Sequence, residues 1–238
     1  MSTPPPPART VSRRTLVIAV TVVAVLLATV LVAGEAIARH TYSRCISSQF
    51  EKDMGSKIDV RFGYKPLLVT WLDGKVSRVS VDSEGGKFGP AVGMVVHATF
   101  NDIEGIDGTK GVIGSSSADV TWDNDGIRQT LGGLVSGVHS SAGSGMLTLD
   151  VLGGIAKLQV KPQVTNGVVH VETMSAQLLG MGLPTDLVSG IVDVFTQSLQ
   201  SYPLGLQPKT ITVTDNGIAV KLAGGRTELP AAQNGGSC

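Results

Sequence analysis

The sequence predicts an α+β protein: an N-terminal membrane-spanning helix followed by one domain of mostly antiparallel strands with two or three helices. Three observations carry this prediction. Residues 15–34 run for twenty positions without a charge, Asn, Gln or Pro. From residue 58 onward, apolar residues recur at alternate positions in successive runs. Turn dipeptides such as Asp73-Gly74 and Asn166-Gly167 separate those runs, and one strongly amphipathic stretch follows Pro184.

The apolar run comes first. Twenty residues at about 1.5 Å each make a helix of about 30 Å, the thickness of a bilayer's hydrocarbon core. Arg9, Arg13 and Arg14 precede it, so the positive-inside rule keeps residues 1–14 cytoplasmic. Those residues open with Pro4 to Pro7 and read as a disordered stub. Everything beyond the span is then extracytoplasmic, on a single-pass cell-membrane anchor. Ala36-Ile37-Ala38 also fits a signal-peptidase pattern, and cleavage after Ala38 would release the domain. The run exceeds the usual ~7–15 residues of a signal peptide, which favours retention. Cys45 follows Tyr42-Ser43-Arg44, which is no lipobox, so lipidation is not expected there.

Residues 39–238 are enough for one domain with a sizeable core. They carry 16 Lys and Arg against 18 Asp and Glu, a formal charge of −2. That excludes the basic footprint a nucleic-acid partner requires. The two cysteines, Cys45 and Cys238, read as a disulfide in an oxidising compartment, with free thiols or intermolecular pairing as the alternatives. Closing so long a loop is worth about 5 kcal/mol in the chain-entropy model.

Elements follow in order. Tyr42, Ile46, Phe50 and Met54 make an i, i+4 stripe that predicts a helix over residues 39–57, ended by Gly55. Ile58, Val60 and Phe62 alternate with Asp59 and Arg61, a strand with one wet face. Residues 67–72 form a continuous apolar run, with a hairpin-type turn at Asp73-Gly74. Val76, Val79 and Val81 mark a strand with a bulge at Ser77-Arg78, and Gly85-Gly86 opens a loop. A long strand follows over residues 92–100, and residues 101–117 read as a Gly-, Asp- and Ser-rich loop. After a short strand at Val120 and Trp122, Asp123 and Asp125 cap a helix carrying Ile127, Leu131, Leu134 and Val135. Residues 146–162 and 164–173 are further strands, with a two-residue hairpin signal at Asn166-Gly167 between Val164 and Val168. Leu187, Val188, Ile191, Val192, Phe195 and Leu199 define the amphipathic helix. A final hairpin turns at Asn216-Gly217.

No catalytic template is present. The Gly-Ser runs lack nucleophile-elbow spacing, and neither Gly74-Lys75 nor Gly86-Lys87 has the rest of a phosphate-binding loop. His40, His97, His139 and His170 form no zinc-binding pair, and Asp123-Asn124-Asp125 fails the calcium-loop pattern. The expectation is a protein that is not an enzyme and uses no cofactor or metal. Lys65, Arg78 and Lys87 are scattered and mark no phosphate site. An export anchor, a Gly-rich apolar sheet and no catalytic constellation point to lipid binding. Acyl chains are expected between three segments: Leu67, Leu68 and Trp71; Val92, Met94 and Val96; and Leu187, Ile191, Phe195 and Leu199. The competing expectation is a solid core in an envelope scaffold.

The run Ile58-Asp59-Val60-Arg61-Phe62-Gly63-Tyr64-Lys65-Pro66-Leu67-Leu68, followed by Asp73-Gly74-Lys75-Val76, resembles the opening of the LmeA-like phospholipid-binding family. Further similarities are Val120 and the helix after Asp125, Pro162 to Gly167, and Leu204-Gly205-Leu206 before the Asp-Asn-Gly hairpin. The chain departs from the family in Tyr64-Lys65-Pro66, where an aromatic often directly precedes Pro. The resemblance implies a membrane-associated bacterial envelope protein of tubular lipid-binding type, a long curved antiparallel sheet around amphipathic helices. It implies phospholipid, especially phosphoinositide-type, as ligand, in support of lipoglycan or envelope-lipid biogenesis; a membrane-bound envelope-biosynthesis enzyme is a further expected partner, which the scaffold reading requires. It brings no catalytic residue.

Overall fold

The computed structural model describes residues 13–228, apart from 55–56, 89–90, 106–110, 179–180, 201 and 203. Its first element is one unbroken helix, α1 (Arg13–Met54), of 42 residues. At 1.5 Å per residue it is about 63 Å long, so the membrane-length part and the amphipathic part predicted separately are one rod. Gly55, its expected terminator, lies outside the described residues.

The strands divide between two open antiparallel sheets. The first contains β1 (Ile58–Phe62), β2 (Lys75–Phe88), β3 (Ala91–Glu104) and β4 (Val112–Asp123). It is completed by β10 (Gln207–Thr214), β11 (Gly217–Gly224) and β12 (Thr227–Glu228), in the order β1-β2-β3-β4-β11-β10 with β12 also on β4. The second runs in sequence order through β5 (Val135–Ser141), β6 (Met146–Val151), β7 (Ala156–Thr165), β8 (Val168–Leu178) and β9 (Met181–Gly182). The second sheet is thus inserted in sequence between β4 and β10, two strands of the first sheet that have β11 between them in space. The described residues also form three shorter α-helices: α2 (Leu67–Asp73), α3 (Asn124–Thr130) and α4 (Thr185–Ser198).

Cross-strand register explains where the core lies. Met94, Trp122, Ile218 and Val213 fall in one row across β3, β4, β11 and β10, and Val96, Val120, Val220 and Ile211 in the next. Leu147, Leu149, Val151, Leu158 and Val160 of the second sheet are fully buried against the same core. Asp123 caps α3 by accepting from the Gly126 N–H at 2.6 Å, the role its position predicts.

Several expectations need correction. Residues 67–72 all lie in helix α2, because Pro66 starts a turn and Gly74, at φ 64°, ends it as a left-handed cap, not as a hairpin turn. The irregularity in β2 lies between Ser83 and Lys87, so Gly85-Gly86 belongs to the strand and Ser77-Arg78 is regular. β3 and β4 reach well into the presumed loop, since Ser115 to Ser117 pair with residues 99–101. Leu134 and Val135 are not in α3; Gly132 and Gly133 break it and Val135 opens β5. The last hairpin turns at Asp215-Asn216, and Gly217 already pairs with Thr214.

Candidate functional site

Two regions frame the function: the apolar interior between the sheets and the junction where α1 meets the domain. In the interior, Phe195 of α4 stacks on Trp122 of β4 with ring centroids 5.7 Å apart. The indole N–H of Trp122 donates to the Val92 carbonyl at 2.8 Å, so this ring is both packed and satisfied. Ile191 and Phe195 are 0% exposed and Leu199 is 1%. Met94 is buried with them, and Val96 and Leu187 are half-buried against the same cluster. Val92 is half-buried on β3. The structure therefore gathers most of the β3 and α4 residues expected around acyl chains. Leu67 is half-buried on α2, apart from that cluster, and the side chains of Leu68 and Trp71 lie outside the described residues. Cys238, the expected partner of Cys45, also lies outside them.

At the junction, α1 is tied to the segment that precedes α2. Glu35 Oε1 accepts from the Leu67 N–H at 2.7 Å and from Arg39 Nε at 2.7 Å. Arg39 in turn donates to the Lys65 carbonyl at 3.0 Å and to the Phe62 carbonyl at 3.4 Å. One turn further along, the Ser43 hydroxyl donates to the Val60 carbonyl at 2.7 Å. These contacts begin directly after Gly34, where the apolar run ends. They clasp the domain to α1 just beyond the apolar run.

A hollow of about 450 Å³ opens beside this clasp, on the polar face of β1, β2 and β3. Arg39, Arg61, Arg78, Asp82 and His97 line it. Register brings them together: Arg61 stands opposite Ser80, Ser80 opposite Thr99, and Asp82 opposite His97. Arg61 and then His97 hold the Asp82 carboxyl below the usual carboxylate range. Alternation in β1 marks Arg61 as a wet-face residue, but its convergence with Asp82 and His97 needs the pairing of three strands. Of the three basic residues seen as scattered, Arg78 joins this hollow and Lys65 pairs with Asp73. The side chain of Lys87 lies outside the described residues.

A second hollow, about 410 Å³, lies at the other edge of the first sheet, where β10 meets β7. Lys161 and Lys209 stand on its rim with Pro162, Val164 and Ile211. With strands about 4.8 Å apart, the edge strands β1 and β10 are separated by about 24 Å. Elsewhere, Asp125 bonds Arg128 and Gln129 of its own helix, which leaves the Asp123-Asn124-Asp125 run with structural work. Among the described residues no group of three His, Cys, Asp or Glu is placed to hold a metal ion.

These features define a class: a two-sheet antiparallel domain with an apolar interior, continuous with a helix long and apolar enough to cross a membrane. Residues 29–223 match the LmeA-like phospholipid-binding family, and the chain belongs to that family. Similar proteins include an uncharacterised protein of Mycobacterium bovis and two from different Mycobacterium tuberculosis strains, each 23% identical over 210 residues. Each alignment covers 84% of this chain but 60% of the relative, so the chain spans somewhat over half the length of these relatives. No solved structure matches the chain significantly.

Proposed function

We propose that this chain is an extracytoplasmic phospholipid-binding or phospholipid-transfer protein, tethered to the membrane by α1 and not itself an enzyme. Membership of a phospholipid-binding family over residues 29–223 carries the reading, because the match takes in the end of the span and both sheets. Acyl chains enter between β3 and α4, whose Met94, Val96, Leu187 and Ile191 belong to or pack against the core. Each buried methylene is worth about 0.8 kcal/mol, so two chains bind well with few polar contacts. Phosphoinositide-type lipids and a role in lipoglycan biogenesis, alongside a membrane-bound enzyme, are the finer form of the proposal. A disulfide between Cys45 and Cys238 would fasten the C-terminus to α1.

Retention of the anchor is supported by the clasp. Ala36-Ile37-Ala38 lies inside α1, between Glu35 and Arg39, and cleavage after Ala38 would take away the acceptor of the Leu67 N–H. The reading places the domain against the outer leaflet.

Mass spectrometry of organic extracts tests the function. Full-length protein purified in a mild detergent is expected to carry phospholipid, or to take it up from vesicles. Protein that does neither refutes the proposal. One observation favours a second reading, an envelope scaffold: Ile191, Phe195 and Leu199 are already closed in by the core. The scaffold predicts the lipid-free result.

A further inference from the structure

We propose that the hollow between α1 and the polar face of β1–β3 is a headgroup site that takes the phosphate of an outer-leaflet phospholipid. The proposal rests on the phospholipid-binding reading and adds where, and at which stage, the lipid is recognised. Charge is the first argument. Arg39, Arg61 and Arg78 line the hollow against one lining carboxylate, Asp82. Glu35 pairs with Arg39 from the helix, and Asp59 stands 3.6 Å from Arg61, which also pairs with Asp82. Arg78 differs from both. Its Nε donates to the Asn101 amide oxygen at 3.0 Å, a neutral partner, so its charge is available to an anion. Arg61 and Arg78 offer forked N–H groups suited to phosphate oxygens, and Ser80 and Thr99 add hydroxyls beside them.

Height is the second argument. Arg39 is five residues beyond Gly34, about 7–8 Å above the end of the apolar run for a helix along the bilayer normal. The headgroup layer on each side of a bilayer is about 5–8 Å thick. Tyr64, also on the wall of the hollow, is 103% exposed, as an aromatic that rests in the interface would be. The hollow therefore opens where lipid phosphates already are, and its 450 Å³ suits a headgroup.

The third argument concerns the two faces of β3. Met94 and Val96 belong to the core side, whereas His97 and Thr99 belong to the side of the hollow. A lipid whose chains lie between the sheets has the first sheet between them and this hollow. The site therefore engages a lipid whose chains are still in the bilayer, before any uptake.

Titration of the full chain in neutral maltoside micelles tests this, with dihexanoyl phosphatidylglycerol, dihexanoyl phosphatidylcholine and inorganic phosphate as probes. The expected result is tightest binding of the anionic lipid: its net negative charge sets it above the zwitterionic lipid, and its chains, which partition into the micelle around α1, set it above inorganic phosphate. Arg78→Gln should weaken that binding about tenfold, the worth of one charge-assisted contact, and Arg78→Lys should lose less. Arg78 has a neutral partner, so its removal orphans no carboxylate, and an unchanged thermal melt confirms the fold. Long-chain lipid recovered by organic extraction should be the same in wild type and Arg78→Gln. Equal anionic-lipid affinity in wild type and Arg78→Gln overturns the headgroup site while leaving the lipid-binding reading intact. Inorganic phosphate binding as tightly as the lipid assigns the hollow to a soluble anion and overturns it too. Wild type that binds no probe and carries no extracted lipid overturns both.

Discussion

Gly217 sits where β10 turns into β11, at φ 145°, and a Cβ there would run into the Trp122 carbonyl and, at 2.8 Å, the Asp123 Cα. The adjacent Asn216 carbonyl accepts from the Asn124 N–H at 3.0 Å, so the strand cannot back away without opening the start of α3. Gly217→Ala is expected to cost about 2–4 kcal/mol in a urea titration. Asp82 makes a prediction about acid. Its carboxyl is held below the usual carboxylate range by Arg61 and His97, so it titrates lower in the folded chain than in the unfolded one. The stability this contributes is present in full above the unfolded value and is lost as pH falls through the folded one. Between pH 6 and 3 the thermal midpoint of Asp82→Asn should therefore fall less than that of wild type, and parallel curves would contradict the assignment. Gly217 was visible as a turn glycine, whereas nothing in the local pattern singled out Asp82. The partners of both were hidden, because Trp122 and His97 reach them only through strand pairing.

At the scale of elements, α4 and α1 carry the account. Phe195 seals α4 against Trp122, so Phe195→Ala should lose about 3–5 kcal/mol and shift Trp fluorescence toward that of a wetter indole. The clasp on α1 has its own readout. Glu35→Ala leaves the Leu67 N–H without its acceptor, and amide exchange over α2 should quicken while exchange in β6 and β7 stays slow. Elements with a strong period were legible. The long apolar run and the Leu187–Leu199 face gave α1 and α4, and alternation gave β1, β3, β8 and β11. Small residues hid the rest. Ser116 is buried in β4 beneath Gly224, where nothing larger fits, so a strand made of serines read as a loop. Pro66 and Gly74 bracket a seven-residue helix too short to show a period.

At the scale of the whole molecule, the insertion of one sheet between β4 and β10 of the other is a long-range fact that local pattern does not carry. It places the apolar faces of both sheets and α4 in one core. It also leaves the first sheet's polar face beside α1, just beyond the end of the apolar run. An unbroken α1 predicts an intact N-terminal leader. The mass of the membrane-extracted protein should include residues 1–38, and a mature N-terminus at Arg39 would replace the tethered domain with a diffusing carrier. The central claim is that phospholipid chains occupy the space between β3 and α4. Peptide mapping after irradiation with a phospholipid bearing a diazirine in its acyl chain tests it most directly. Adducts on the β3 and α4 peptides that carry Met94, Val96, Leu187 and Ile191 are the result expected. Adducts confined to the membrane-spanning part of α1, with none on either peptide, would contradict the claim.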